Sequence, residues 1–207
     1  MSVPLVSIIT ATHNAEKHLN ECITSVLNQT YHNFEYIIID GASTDNTIEI
    51  IKKYSHKLTY WVSEPDDGIY DAWNKGLAKA NGDWIAFVGA DDILYPNALQ
   101  TYIEHIVQHP NRNNLEFVSA NIELVEEDLS TIRLVGEAWK WESFRKSMVT
   151  WHVGTFHSKY LFAKYGMFNK SYKISGDYEL LLRPKSLLVT SFINQVTAKM
   201  RLGELVI

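Results

Sequence analysis

The sequence predicts an α/β fold, a mixed and mostly parallel central sheet flanked by helices, and three observations carry that prediction. Short apolar strands alternate with helical stripes through the first half of the chain, the pattern of a parallel sheet with crossover helices. Acidic residues stand where two of those strands end, in IIIDGASTDNT and GDWIAFVGADDILYP, and a third acid opens a downstream helix in ISGDYELLLR. Finally, 207 residues with 46% apolar content are enough for one compact domain with a substantial core.

In order along the chain, Leu5 to Thr10 is a short β-rich run. Asn14 is expected to cap the helix that follows, where Leu19, Cys22, Ile23, Val26 and Leu27 recur at helical spacing. Phe34 to Ile39 is a second strand stopped by Asp40-Gly41, and Ser43, Thr44 and Asp45 are expected to cap a helix from about Asn46. Leu58 to Val62 reads as a third strand. Ile69, Ala72, Trp73, Gly76, Leu77 and Ala80 form a helical stripe that Asn81-Gly82 terminates. Trp84 to Val88 is a fourth, buried strand. Beyond Pro96, the residues Leu99, Tyr102, Ile103, Ile106 and Val107 form another helix, ended by His109-Pro110.

The second half changes character. Leu115 to Leu124 and Thr131 to Val135 flank the acidic turn Glu126-Glu127-Asp128 and read as a hairpin that extends the sheet with antiparallel strands. Ser158 to Tyr165 and Asp177 to Arg183 are short helices, and Trp139, Trp141, Phe144 and Met148 make an aromatic stretch without an assigned structure. Ile207 follows a strand-like segment with no polar tail, which suits a native chain that continues.

Composition removes several classes. The formal charge of -5 is spread along the chain with no lysine or arginine run to track a phosphate backbone, so nucleic acid is not an expected partner. Cys22 is the single cysteine, and MSVPLVSIIT lacks the basic and apolar regions of an export signal, so a cytoplasmic protein without an internal disulfide is expected. No apolar run reaches the roughly 20 residues of a membrane-spanning helix. Neither G-x-G-x-x-G after the first strand nor G-x-x-x-x-G-K-[ST] anywhere is present, which argues against a dinucleotide-dependent oxidoreductase and a P-loop phosphotransferase.

The segments VSIITATHN, NQTYHNFEYIIIDGASTDNT, GDWIAFVGADDILYP, HVGTFHSKYLFAKYGMF and GDYELLLR, in that order over nearly the whole chain, resemble a family-2 inverting glycosyltransferase with the GT-A nucleotide-diphospho-sugar transferase fold. SEPDDGIYDAWNKG further resembles the bacterial branch that builds surface polysaccharides. The resemblance implies transfer of a hexose from a nucleotide diphosphate sugar, expected to be a UDP-sugar, to a glycan or lipid-linked saccharide acceptor. It also implies a divalent cation, Mg²⁺ or Mn²⁺, and peripheral association with the inner face of a membrane. Residues 1–110 are expected to form the nucleotide-sugar half and 111–207 the acceptor half. A catalytically degenerate nucleotide-sugar-binding module is the alternative, motivated by Gly89.

Roles then fall on named residues. Ligands of open α/β sheets sit at the carboxyl ends of strands, so Thr10, Ala11 and His13 after strand 1, and Asp40 and Gly41 after strand 2, are expected to line the nucleotide pocket. A plain loop role suits His13 equally well. Asp40 is expected to accept the base imide N–H, favouring uracil or thymine over cytosine; an Asp-Gly turn is its structural alternative. The resemblance places the cation at Ala90-Asp91-Asp92, with Asp92 the metal ligand and Asp91 at the ribose or reaching the metal indirectly; capping of the helix after Pro96 is their structural alternative. Gly89 stands where many relatives carry the first acid of a D-x-D pattern. Asp177 is the expected general base, although a first-turn acid is also favoured by the helix dipole. Asp66, Asp67, Tyr70, Asn74 and Lys75 are candidate contacts to the nucleotide or donor, and a solvated acidic turn suits the stretch of the first three equally well. Trp73 replaces an arginine of relatives, His152 resembles a position near the acceptor although a lone histidine beside a strand is more often a satisfied core group, and Arg183 follows Asp177 on the same helix, where it could pair with it or reach a phosphate. Trp139 and Trp141 read as aromatic core sooner than as a sugar platform.

Overall fold

The computed structural model describes residues 3–202. β1 (Val6–Thr12), α1 (Leu19–Leu27), β2 (Phe34–Asp40), α2 (Thr47–Tyr54), β3 (Tyr60–Ser63), α3 (Ile69–Leu77) and β4 (Trp84–Phe87) alternate as expected. β5 (Ile93–Leu94), α4 (Ala98–Gln108), the hairpin of β6 (Phe117–Val125) and β7 (Thr131–Val135), and α5 (Trp141–Phe144) follow. β8 (Thr155–Ser158), α6 (Lys159–Tyr165), α7 (Gly176–Leu182) and β9 (Thr190–Arg201) complete the described chain.

The strands form one sheet in the order β3-β2-β1-β4-β8-β6-β9-β5, with β7 added beside β6. β3, β2, β1 and β4 are parallel neighbours, β8 runs antiparallel between β4 and β6, and β6 and β9 are parallel. This is the mixed, mostly parallel sheet that the sequence predicts. The last strand thus lies inside the sheet, between β6 and the two-residue edge strand β5.

Period-2 alternation divides the core into two layers. Ile8 and Ile38 pack with Leu19, Ile23, Val26, Leu99 and Tyr102 on the face covered by α1 and α4. Their chain neighbours Ile9, Ile37 and Ile39 pack with Trp73, Phe87, Phe162 and Leu181 on the face covered by α3, α6 and α7. A strand buried on both faces must read as a continuous apolar run, and YIIID does.

Two capping expectations and one strand start change. Asn14 does not cap α1, which starts at Leu19 after His18 with no side-chain cap. Asn14 instead has φ 48°, and its Oδ1 accepts the Thr44 amide at 2.9 Å, joining the loops after β1 and β2. Of the three candidates before α2, Asp45 serves it, accepting the Thr47 N–H at 3.0 Å, while Ser43 turns inward to Asp40. The third strand begins at Tyr60 because a 3₁₀ turn occupies Ser55–Lys57. The start before residue 3 and the segment from 203 to Ile207 lie outside the described residues.

Candidate active site

Two adjoining clefts open at the carboxyl ends of β1, β2 and β4. One, of about 590 Å³, is lined by Thr12, Gly41, Asp66, Asp67, Gly68 and Lys173. The other, of about 550 Å³, is lined by Lys17, His18, Asp91, Asp92, His152 and Arg201. Ala11, His13 and Ile69 line both, so the two make one groove in the place where open α/β sheets bind ligands. Ala11, His13, Gly41, Asp67, Asp91 and Asp92 all line this groove. His13 spans the strand ends through Nδ1, 3.0 Å from the Gly41 carbonyl.

Asp40 is brought to the groove's floor but does not face it. Its side chain is fully buried and accepts four protein hydrogen bonds: Thr12 Oγ1 at 2.8 Å, Ser43 Oγ at 2.5 Å, the Ser43 amide at 3.0 Å and Ser63 Oγ at 2.6 Å. Burial alone would raise this carboxyl, and the donors from Ser43, Ser63 and Thr12 more than reverse it, holding the group below the usual carboxylate range. With its lone pairs so engaged it has no capacity for a base imide, and the expectation of direct contact is corrected: Asp40 is the hub that fixes the strand ends. The carboxylate reaching into this cleft is that of Asp66. Its Oδ2 lies 2.6 Å from where a Cβ at Gly41 would stand, while Oδ1 accepts the Gly68 amide at 2.8 Å.

In the second cleft Asp91 and Asp92 converge over Gly89. A Cβ there would meet Asp92 Oδ2 at 2.6 Å and Asp91 Oδ1 at 3.0 Å, so the two carboxylates fill the space that a first acid would need. Asp92 is almost fully buried, and its Oδ2 accepts the Gly89 amide at 2.9 Å. Burial, then the charge of Asp92, pushes the Asp91 carboxyl up. His152 closes the cluster, with Nε2 3.2 Å from Asp92 Oδ2. Burial favours the neutral ring, yet contact with Asp92 and the charges of Asp92, Asp177 and Asp91 outweigh it and raise its pKa. The contact is not aligned as a hydrogen bond, so this buried nitrogen has no hydrogen-bond partner among the described residues.

Hard oxygen donors converging beside an imidazole nitrogen fit a divalent cation. Among the described residues no group of three or more His, Cys, Asp and Glu side chains is placed to hold a metal, so substrate and water would have to complete the shell, as is usual for Mg²⁺ beside phosphates.

Asp177 lies in the first turn of α7, sharing a small cavity with His152, Trp73 and Phe168. The Tyr70 hydroxyl donates to its Oδ1 at 3.1 Å, and burial followed by the Asp177 charge pushes the Tyr70 pKa up to about 12, so the phenol stays protonated. Gly176 permits this approach, since a Cβ there would lie 2.7 Å from the Tyr70 ring.

Several candidates serve the scaffold instead. Thr10 is fully buried against the Tyr36 hydroxyl at 3.2 Å and does not reach the groove. Asn74 is paired twice with the Phe168 backbone, at 2.8 and 3.0 Å, which locks α3 to the segment before α7. Lys75 holds Glu64 and the Pro65 carbonyl. Arg183 pairs with Glu179 rather than Asp177 and donates to the Tyr165 and Met167 carbonyls. Trp73 is buried among Tyr70, Phe87, Phe168 and His152, and Trp139 packs on Phe144 as core. Sequence reasoning missed Arg201 and His18. Arg201, at the end of β9, donates to the Asp91 carbonyl at 2.5 Å and to Glu21 at 2.6 Å, contacts that only the sheet order reveals.

A mixed sheet of this order with acids at its carboxyl-end groove defines a GT-A transferase architecture. The model of the family described as Glycosyl transferase family 2 matches residues 7–172, and the chain belongs to that family. It is 29% identical over 203 residues to the PGL/p-HBAD biosynthesis glycosyltransferase of Mycobacterium bovis, covering 96% of this chain and 77% of that one. TarS 1-349 of S. aureus in complex with UDP superposes with a TM-score of 0.78 at 19% identity, over 96% of this chain and 60% of that one. The mannosyltransferase PcManGT of Pyrobaculum calidifontis, solved with GDP-Man and Mn²⁺, gives a TM-score of 0.72 at 17% identity, over 100% of this chain and 59% of that one. This chain thus spans about three fifths of the solved structures it resembles.

Proposed function

We propose that this protein transfers a hexose from a nucleotide diphosphate sugar, by preference a UDP-sugar, to a glycan or lipid-linked acceptor with inversion at the anomeric carbon, in cell-surface polysaccharide synthesis. The observation that carries the reading is the groove itself. It is continuous across the strand ends, has paired carboxylates at Asp91 and Asp92, and is joined to Asp177 through the cavity beneath His152.

The cleft between Gly41 and Gly68 suits the nucleoside, and there Asp66, in place of Asp40, offers the acceptor for an imide N3–H. Asp91 lines the second cleft, where its backbone is tethered by Arg201. A divalent cation at Asp92 would offset the charge that grows on the departing diphosphate. Asp177 takes the proton of the acceptor hydroxyl as that oxygen attacks, a contribution on the order of 10² to 10⁴ in rate. Tyr70 holds the carboxylate in orientation for that step. A single base opposite a departing diphosphate performs direct displacement, hence inversion.

Donor binding falls mainly to residues 1–110 and acceptor binding to 111–207. A lipid-linked acceptor brings the protein to the inner face of a membrane from the cytoplasm; no helix among the described residues is long and apolar enough to cross it.

Thermal unfolding with UDP, GDP, TDP and CDP, each with and without Mn²⁺, tests the reading. Ligand at about 100 times its Kd stabilises the native state by ~2.7 kcal/mol. The largest rise is expected with UDP and Mn²⁺, with its manganese-dependent part lost in Asp92→Asn. Asp177→Asn is expected to keep the rise and lose turnover of UDP-sugars. A folded protein that no nucleotide stabilises overturns the proposal, and nucleotide binding without turnover of any UDP-sugar favours the degenerate binding module.

A further inference from the structure

We infer that His152 is the second protein ligand of the divalent cation, taking with Asp92 the place of the first acid that Gly89 removes, and that it biases the site toward Mn²⁺ over Mg²⁺. The inference rests on the nucleotide-sugar reading above and names a ligand which that reading lacks.

Three features of the cluster carry it. The first is space: the carboxylates of Asp91 and Asp92 already close over Gly89, so a side chain at that position would displace them, and any further ligand has to come from elsewhere in the fold. The second is distance. Adjacent ligands of an octahedral ion bound at about 2.1 Å stand about 3 Å apart, and His152 Nε2 lies 3.2 Å from Asp92 Oδ2. The third is the state of the nitrogen. It is buried, borders the cleft with both carboxylates, and its one polar contact is the ion pair with Asp92 Oδ2, not aligned as a hydrogen bond, so a cation seated between the two would be held by both.

The ring is also held in orientation. His152 follows Trp151 in a 3₁₀ turn, His152–Gly154, whose packing needs glycine, because a Cβ at Gly154 would lie 2.5 Å from Ile122. The Trp73 ring stands against its other side, with centroids 5.5 Å apart. This explains the tryptophan at a position where an arginine was anticipated: it supports a ligand and does not touch phosphate. Imidazole suits transition metals, whereas Mg²⁺ prefers an all-oxygen shell, so the mixed set favours Mn²⁺.

The test is pulsed electron paramagnetic resonance of Mn²⁺ added to the full chain with saturating UDP, with UDP binding itself read separately by thermal shift. Nitrogen hyperfine coupling from a directly bound imidazole is expected in the wild type, lost in His152→Gln and retained in His18→Gln. His152→Asp is expected to restore Mn²⁺ affinity through oxygen and to reduce the Mn²⁺ over Mg²⁺ preference at least tenfold. UDP binding with Mn²⁺ bound but no nitrogen coupling, or with coupling that survives in His152→Gln, overturns the assignment and leaves the nucleotide site standing. Absence of both UDP and Mn²⁺ binding overturns both. The wild-type spectrum decides the point even where a variant fails to fold.

Discussion

The Tyr70 hydroxyl meets the Asp177 carboxylate at 3.1 Å across a sequence separation of 107 residues, so the opening turn of α3 supports the opening turn of α7. Tyr70 is buried against Trp73 and Phe168, which leaves its hydroxyl little choice of direction. Tyr70→Phe keeps the ring packing and removes only the donor, at a stability cost of about 1 kcal/mol. Turnover with a UDP-sugar is expected to fall about tenfold, because an unguided base spends less time in line with the acceptor, while KM for the donor is unchanged. Steady-state kinetics that show the loss in KM instead would place Tyr70 in donor binding.

Asp40 bears on stability, not on base choice. Asp40→Asn replaces one acceptor oxygen by a donor facing hydroxyls that themselves donate, and bonds to a charged group are worth about 1.5–3 kcal/mol each. Loss of several kcal/mol is expected in urea unfolding, with the ranking of UDP, GDP and CDP unaltered in whatever fraction folds. Since its folded pKa is depressed, this contribution is complete above the unfolded carboxyl value near 4 and lost as pH falls through the folded one. A well-folded Asp40→Asn protein that changes its base preference would return Asp40 to the nucleotide.

Rebuilding the D-x-D pattern is expected to fail. In Gly89→Asp the new Cβ would lie 2.6 Å from Asp92 Oδ2, an oxygen already held by the residue 89 amide. Displacing that carboxylate lowers Mn²⁺ affinity by about tenfold or more, since orientation of the first ligand is what a metal site depends on. Isothermal titration in the presence of UDP checks the sign, and tighter binding would mean the cluster can open to admit a further acid.

His157 sets an acid limit on the fold. It is buried among Phe87, Phe117 and Phe162, and burial, followed by the charge of His152 and opposed by a hydrogen bond with the Ile85 backbone, pushes its pKa down to about 3. The folded protein therefore keeps it neutral while the unfolded chain takes up a proton below about pH 6.5. Stability from this residue is whole above that value and falls by about 1.4 kcal/mol per pH unit from there toward pH 3. His157→Phe, which fits the surrounding rings, is expected to flatten that part of the acid limb. Urea midpoints of the two proteins that stay parallel from pH 7 to about pH 4.5 would refute it.

The parts of this fold that local chemistry decides were legible. The apolar run YIIID reads as a strand buried on both faces and is one, and Asp40-Gly41 ends it as expected. Asp91 and Asp92 line the cleft after β4, at the segment to which the family resemblance pointed. What the order of residues does not carry is the direction in which a polar side chain turns once its neighbours arrive. Asp40 faces inward because Thr12, Ser43 and Ser63 come from different segments to donate to it. Asn74 is drawn to Phe168, and Arg183 to Glu179, for the same reason. His152 was noticed for its motif, yet its contact with Asp92 depends on β8 lying antiparallel beside β4, a pairing no periodicity announces.

The position of β9 has a consequence for how the protein is made. β5, which follows the Asp91-Asp92 turn directly, pairs with β9, and the guanidinium at the end of β9 ties down the Asp91 carbonyl. During synthesis the first strands and helices leave the ribosome long before that partner exists, and contacts so distant in sequence form slowly. The segment bearing the two acids must therefore wait, unanchored on one side, until residues near Arg201 have emerged. A nascent chain halted before that point would hold the β3-β2-β1-β4 parallel strands with the acidic turn untied, so the groove takes its shape only once β9 has emerged.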